Sequence, residues 1–214
     1  LTFEVREGII KHSHDYNDKD HPELAEYLLD QRPPLEAQLI DLTDEIAYNT
    51  ADLDDGYESR LLAYEQIREG VPVFARYSDE VEKLYPDVAE KLRFNETVKR
   101  FLNRLVGDLI ETTATRIRGA KIETLEDVRD YPERLAAFSP EVEEDRKQAK
   151  SFLYENLYYS PSLAPEKDDA ERVVTELFEF WMKDPASLPH NYREKAEDEP
   201  LPRIICDYIA GMTD

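Results

Sequence analysis

Three observations on the 214-residue sequence predict an all-α protein. Only 6 residues are glycine, runs rich in Val, Ile and Thr are absent, and apolar residues recur at spacings of three and four along almost the whole chain. Hydrophobic residues make up 41% and charged residues 36% of the sequence. The chain can therefore bury a core but must expose a very polar surface. Because we find no internal repeat and no low-complexity linker, we expect one multi-helix domain over residues 1–214.

In the first part of the chain, proline, glycine and capping residues mark the expected helix ends. An amphipathic pattern begins at the first residues and runs into a polar loop. The pair Pro33-Pro34 opens a second helix, and Gly56 separates that helix from a third. Ser78, with glutamates two and four residues later, has the pattern of a capping box. We expect helices over residues 1–12, 35–56, 57–70 and 78–93.

In the second part, the longest apolar pattern is followed by a short helical piece that Pro132 interrupts. Two further helices begin at proline-containing caps. The aromatic residues of "FLYENLYY" in the first of them, together with Phe178, Phe180 and Trp181 in the second, indicate a core or a subunit interface. A polar connector then leads to a last apolar pattern. We expect helices over residues 95–117, 124–138, 139–160, 165–185 and 202–214, with the connector at 186–201.

The charge excludes two classes of partner. A net charge of −22 argues against a protein that coats nucleic acid or an anionic membrane, because both favour clustered Lys and Arg. No segment approaches the ~20 apolar residues of a membrane span. The single cysteine, Cys206, cannot form an internal disulfide, which is typical of a reducing compartment. We therefore expect a cytoplasmic protein.

The segment "DLTDEIAYNTADLDDG" carries the most informative pattern. Residues three, four and seven apart share a helix face, so four carboxylates and one phenol form a single stripe. This stripe consists of Asp41, Asp44, Tyr48, Asp52 and Asp55. A solvated acidic face is the common interpretation of such a stripe in a highly charged chain.

The residues beside the stripe favour a second interpretation. Apolar rows lie on both sides, and a stripe between two buried rows lines a cleft, where carboxylates need a cation or strong donors. The remaining face is expected to be exposed. The rows are Leu42, Ile46 and Leu53 on one side and Ile40, Ala47 and Ala51 on the other; the remaining face carries Thr43, Thr50 and Asp54.

Two weaker patterns lie elsewhere. Arg100 and Arg104 share a face of the longest helix and are candidates for binding phosphates, with pairing to the abundant carboxylates as the structural alternative. The loop "HSHD" at residues 12–15 has residue types that bind transition metals, but not the i, i+4 spacing of a helical site. The chain has no glycine-rich phosphate loop and no CxxC motif.

Three segments in order, "LTFEVREGIIKHS", "LEAQLIDLTDEIAYNTADLDDG" and "PRIICDYIAGMTD", resemble the bacterial dGTP triphosphohydrolase family. These HD-superfamily enzymes are metal-dependent and split deoxynucleoside triphosphates into deoxynucleoside and triphosphate. The resemblance implies an HD-type helical fold, a dNTP substrate, a divalent metal such as Mg or Mn, and a homo-oligomer.

The resemblance also assigns roles within the stripe. In the family, the aspartate that matches Asp44 is the last metal ligand. In the related vertebrate deoxynucleotide hydrolase, the same helix carries aspartate, tyrosine and aspartate at i, i+4 and i+8, which match Asp44, Tyr48 and Asp52. The resemblance thus implies that Tyr48 packs on the sugar and that Asp52 accepts a hydrogen bond from the 3′-hydroxyl.

The sequence departs from the family in two ways. Ala51 stands where many relatives have histidine, so a contact from that histidine is lost. The family's first metal-binding His, its His-Asp pair and its catalytic histidine are not found, and His14-Asp15 lies in the wrong context to replace the pair. We therefore expect this chain to be the C-terminal part of a longer enzyme, to retain metal poorly and to be inactive alone.

Two alternatives remain open at this stage. The chain is an acidic helical module for interaction or oligomerisation, or it belongs to an HD phosphohydrolase that acts on another nucleotide. The stripe residues Tyr48 and Asp52 favour a deoxyribose substrate only through the resemblance.

Overall fold

The computed structural model describes residues 1–14, 16–196 and 198–212. These residues form helices joined by turns and irregular segments, without a strand among them, which confirms the all-α prediction. In this part of the chain, no helix has both the length and the apolar character that a membrane crossing requires. The chain folds into two compact units, Leu1–Tyr158 and Tyr159–Asp214. A single domain over residues 1–214 stays a prediction.

In the first unit, residues 1–14 and 16–158 form seven α-helices, a short 3₁₀ helix at Pro22–Tyr27 and a π-helical turn at Tyr154–Tyr158. The longest helix runs through the core and packs on three others. The α-helices are α1 (Phe3–Ile10), α2 (Leu35–Glu58), α3 (Tyr64–Gly70), α4 (Pro72–Leu84), α5 (Glu90–Ala120), α6 (Leu125–Asp130) and α7 (Pro140–Leu153).

The core of this unit forms around one face of α5. Phe94, Phe101, Leu105 and Leu109 are buried, and their spacings of seven, four and four keep them on one side of the helix. Helices α2, α4 and α7 pack against α5. The stripe of α2 therefore belongs to a helix held on one side by a continuous apolar core.

Two of the expected helix boundaries are wrong. Ser78 lies inside α4, which begins at Pro72, and its buried hydroxyl contacts the hydroxyl of Tyr64, so it caps no helix. The helix expected from residue 57 begins only at Tyr64, whereas α2 ends at Glu58, within two residues of its expected end at Gly56. A Cβ at Gly56 would lie 2.6 Å from Cδ1 of Leu62, so this glycine allows close packing rather than a break.

The second unit contains α8 (Ala164–Lys183), a 3₁₀ turn at Pro185–Ser187, α9 (His190–Lys195) and α10 (Leu201–Ala210). Its small core joins Trp181, Leu188 and Ile205, and the rings of Trp181 and Tyr208 meet edge to face at 4.8 Å. The connector expected at residues 186–201 is thus partly helical. Within this unit the aromatic residues of α8 contribute to a core, one of the two roles predicted for them.

Candidate functional site

The start of α2, which positions the stripe, is fixed by a buried amide. Gln38 is almost inaccessible; its side chain donates to the carbonyl of Pro33 at 2.9 Å and accepts the N–H groups of Leu135 at 2.7 Å and Ala136 at 3.3 Å. On the same helix, Glu45 pairs with Lys150 of α7. Because buried polar groups need these partners, α2 is held in one rotation about its axis.

That rotation exposes more of α2 than the sequence indicated. Ile46 and Leu53 are buried, as predicted. The second apolar row is not buried, because Ile40, Ala47 and Ala51 are exposed. Thr50, placed on the outer face by the sequence, is buried instead and donates to the carbonyl of Ile46 at 2.8 Å. The stripe therefore lies at the edge of the buried face of α2 and not between two buried rows.

At the N-terminal end of the stripe, a histidine of the chain joins two carboxylates. His12 follows α1 and places Nδ1 2.6 Å from Oδ1 of Asp41 and Nε2 3.9 Å from Oδ2 of Asp44. Asp41 is nearly buried and also pairs with Arg134. Oδ1 of Asp41 has no partner with hydrogen-bond geometry among the described atoms, so the ring of His12 lies close to it without forming a hydrogen bond.

Asp44 and Tyr48 point outward. The side chain of Asp44 is 49% exposed, and Tyr48 is 62% exposed. A half-exposed carboxylate beside an imidazole and an exposed aromatic ring one turn away are both accessible to a ligand or to a further segment of protein. Asp55, at the far end of the stripe, is also exposed.

Asp52 differs from its neighbours because another element supplies a donor to it. The hydroxyl of Tyr158 donates to Oδ2 of Asp52. Tyr158 ends the π-helical turn Tyr154–Tyr158 that follows α7, and such turns occur frequently at functional sites. Burial raises the pKa of the Asp52 carboxyl above its ordinary value, and the nearby charge of Asp55 adds to the increase.

Arg100 and Arg104 lie on α5 and are engaged by carboxylates. Arg100 pairs with Glu96 at 3.2 Å and Glu80 at 3.6 Å. Arg104 lies 3.9 Å from both Asp108 and Glu141. These ion pairs are the structural alternative that the sequence left open, and the role of the two arginines in binding phosphate stays a prediction.

The described side chains do not form a complete metal centre. Among the described residues, no group of three or more His, Cys, Asp or Glu side chains is placed to hold a metal ion. Asp44 has one neighbouring side chain of these types close to its exposed carboxylate, His12 at 3.9 Å, and the role of Asp44 as a metal ligand stays a prediction. In the loop at residues 12–15, Asp15 lies outside the described residues, while the exposed ring of His14 contacts the ring of Tyr16.

Comparison with known proteins gives consistent matches along the whole chain. Residues 136–214 match the family model described as "Phosphohydrolase-associated domain". Proteins named "Deoxyguanosinetriphosphate triphosphohydrolase-like protein" are 42% identical in Ralstonia nicotianae, 43% in Bordetella pertussis and 36% in Geobacter metallireducens. Each match covers 100% of this chain and 55% of the relative, so the chain spans about half the length of these curated relatives.

These matches confirm the resemblance that the sequence indicated. The chain is homologous, from its first residue to its last, to the proteins of that name. Two contacts of the candidate site were not predicted, those of His12 with Asp44 and of Tyr158 with Asp52. Both link residues on different elements, which spacing within one helix cannot reveal.

Proposed function

We propose that this chain, a homologue of the dGTP triphosphohydrolase-like proteins, forms part of a metal-dependent dNTP triphosphohydrolase. The observation that supports this most strongly is the match of the whole of this chain to 55% of those proteins at 36–43% identity. Deoxyguanosine triphosphate is the substrate that their name suggests. The products would be deoxyguanosine and triphosphate.

In this proposal the stripe of α2 is one wall of the active site. Asp44 contributes one ligand to a divalent ion, whose other ligands come from outside this chain; when bound, the ion would polarise the α-phosphate. His12, 3.9 Å from Oδ2 of Asp44, stabilises the ionised carboxylate when protonated.

The sugar would bind one and two turns further along α2. The exposed ring of Tyr48 offers an apolar face for the deoxyribose. A ribonucleotide would place its polar 2′-hydroxyl against the same apolar face, which disfavours it relative to the deoxyribonucleotide. Tyr158 engages Oδ2 of Asp52, which leaves Oδ1 as the oxygen to accept the 3′-hydroxyl. Because Tyr158 fixes the carboxylate, Asp52 would recognise the 3′-hydroxyl by the position of its free oxygen as well as by its charge.

Arg100 and Arg104 have a conditional place in this proposal. To bind the triphosphate, each would have to exchange its carboxylate partners on α4, α5 and α7 for phosphate oxygens. Charge-assisted contacts to phosphate are strong enough to compete with partly exposed ion pairs. Substitution of either arginine should therefore affect KM for the triphosphate more than kcat.

A fusion tests the proposed function directly. The segment of the Ralstonia nicotianae protein that this chain does not match would be joined ahead of residue 1, and deoxyguanosine and triphosphate would be measured with dGTP and Mg²⁺ or Mn²⁺. We expect hydrolysis by the fusion, little or none by this chain alone, and none after Asp44→Asn.

Two controls separate this proposal from the alternatives. Asp54→Asn changes an exposed carboxylate outside the stripe and should leave turnover unchanged. Deoxyguanosine monophosphate serves as the second substrate, since preference for it would assign the site to another class of phosphohydrolase. A folded fusion that hydrolyses neither nucleotide, or turnover by this chain alone at the rate of the Ralstonia protein, would contradict the proposal.

A further inference from the structure

An open groove lies beside the stripe on the first unit. It has a volume of about 860 Å³ and lies between α1, the start of α2, the end of α5 and α6. Its lining is mainly aliphatic, with contributions from all four helices. The aliphatic side chains that line it include Val5, Ile9, Leu35, Ile40, Ile117, Ile122, Leu125 and Val128.

Several of these aliphatic side chains are exposed to an unusual degree for a folded unit. Ile9 is 60% exposed, Ile40 57% and Val5 47%. The three lie on two neighbouring helices and face the same groove, so they form one patch rather than scattered surface residues. Contiguous exposed apolar surface of this kind marks an interaction site, and a groove between helices suits the apolar face of another helix.

The charges at the groove indicate what kind of helix would bind. Glu4, Glu36 and Glu123 also line it, and within the described part of the chain none of the three forms an ion pair. A second copy of this chain would bring its own net charge of −22 against these carboxylates. Like-charge contact disfavours that occupant, as it disfavours an anionic membrane. A helix with Lys or Arg beside its apolar stripe complements the groove.

The groove also leads to the candidate site. His12 is one of its lining residues and lies 3.9 Å from Oδ2 of Asp44. Ile40, which also lines the groove, precedes Asp44 by one helical turn. A helix in the groove would therefore lie close to Asp44 and could bring further side chains to that carboxylate.

We propose that this groove, which we call the α1–α2 groove, docks an amphipathic helix whose apolar stripe is flanked by Lys or Arg. The helix comes from a segment equivalent to the part of the relatives that this chain does not match. This inference rests on the proposed function, because it identifies the element that completes the wall begun by Asp44. The groove is thus an assembly surface and not a pocket for a small ligand.

Cysteine accessibility in the fusion described above tests the docking. Cys206 is first replaced by serine, and Ile40→Cys is then introduced into both this chain and the fusion. Ile110→Cys is the matched control, since Ile110 is 61% exposed on α5 and does not line the groove. We expect alkylation at Ile40→Cys to be about tenfold slower or more in the fusion, with no change at Ile110→Cys.

The outcomes distinguish the inference from the function on which it rests. Equal alkylation rates at Ile40→Cys in chain and fusion overturn the docking, even if the fusion hydrolyses dGTP. Protection without hydrolysis supports the docking and contradicts the function. Protection in the isolated chain that grows with its concentration assigns the groove to a second copy and overturns the proposed occupant.

If the fusion does not fold, copurification of the two parts as separate chains tests the docking. The unmatched Ralstonia segment, carrying an affinity tag, is co-expressed with this chain. We expect Ile40→Asp to abolish copurification and Ile110→Asp to preserve it; copurification that survives Ile40→Asp overturns the proposal. Glu126 is an exposed carboxylate of α6 outside the groove. We expect Glu36→Lys to weaken the complex more than Glu126→Lys does. Equal effects would contradict the proposal that Lys or Arg flanks the apolar stripe of the docked helix.

Discussion

A buried cluster of charges ties α1 to the rest of the first unit, and its removal should destabilise that unit strongly. Glu7 is completely buried and accepts from Nζ of Lys11 at 2.9 Å and from Nη2 of Arg129 at 2.8 Å. Lys11, itself buried, also donates to the carbonyls of Leu28 at 2.7 Å and Gln31 at 3.0 Å. The cluster thus joins α1, the segment before α2, and α6.

Glu7→Ala would remove the carboxylate that compensates two cations in this cluster. Removal of one partner from a buried pair costs about 3–5 kcal/mol, because the remaining charge stays desolvated. Lys11 retains its two backbone acceptors, but neither carries a full charge. We therefore expect the free energy of unfolding to fall by about 3–5 kcal/mol, which corresponds to a decrease in Tm on the order of 10 °C.

Urea unfolding followed by far-UV circular dichroism measures this change. Glu4→Ala is the matched control, since Glu4 lies on the same helix but is exposed, and we expect no measurable effect from it. Glu7→Gln keeps the volume and one acceptor and should fall between the two. A loss below about 1 kcal/mol for Glu7→Ala, within the range of ordinary substitutions, would refute the idea that this carboxylate holds α1 in place.

Two further predictions concern a close contact and a titrating group. Gly70→Ala should destabilise the protein by about 1–3 kcal/mol, because its Cβ would lie 2.3 Å from the ring of Phe152. Gly107→Ala, with open space around it, should stabilise α5 by up to about 1 kcal/mol. Urea unfolding in which both variants change the free energy of unfolding in the same direction would contradict this. The raised pKa of Asp52 means that the folded state holds this proton more tightly than the unfolded chain, so ionisation of Asp52 lowers stability as pH rises from its ordinary pKa of 3.8 through the raised one. Tyr158→Phe removes a donor to the carboxylate and should raise the pKa of Asp52 further. A carboxyl ¹³C titration, with the Asp52 signal assigned by Asp52→Asn, measures this pKa. A pKa of Asp52 that is lower in Tyr158→Phe than in the unchanged protein would contradict the contact.

The helical class and several helix positions followed from the sequence because they depend on local periodicity. The helix expected over residues 165–185 matches α8 within two residues at each end, since proline marks its start and an apolar stripe defines its length. The boundary at Ser78 failed because a serine two residues before a glutamate resembles a cap, yet the chain had already entered α4 at Pro72. Pro72 at the first helical position was the stronger indication of a start.

The burial of α2 shows where periodicity stops being informative. A helical projection ranks Ile40 as core and Thr50 as surface, from residue type alone. In the folded unit, α5 and α7 pack on α2. Thr50 lies on the buried face of α2, where its hydroxyl donates to the carbonyl of Ile46 and is therefore not left without a partner. Ile40 lies on the other side, in the α1–α2 groove. The exposure of Ile40 is the feature of α2 on which the proposed docking at this groove rests.

The same distinction explains what could be predicted about the candidate site. Helical spacing placed Asp44, Tyr48 and Asp52 on one face, but it could not show what meets each of them. His12 lies 32 positions before Asp44 and reaches that carboxylate from the end of α1, the helix that carries the Glu7 cluster. Tyr158 reaches Asp52 across 106 residues because α7 packs on α2. The two aspartates therefore have different electrostatic environments, one beside an imidazole at the groove and one beside a phenol at a π-helical turn. The proposed roles, metal ligand for Asp44 and sugar ligand for Asp52, are consistent with that difference. Glu7→Ala, which should loosen α1, is therefore expected to change the carboxyl ¹³C signal of Asp44 and to leave that of Asp52 unchanged.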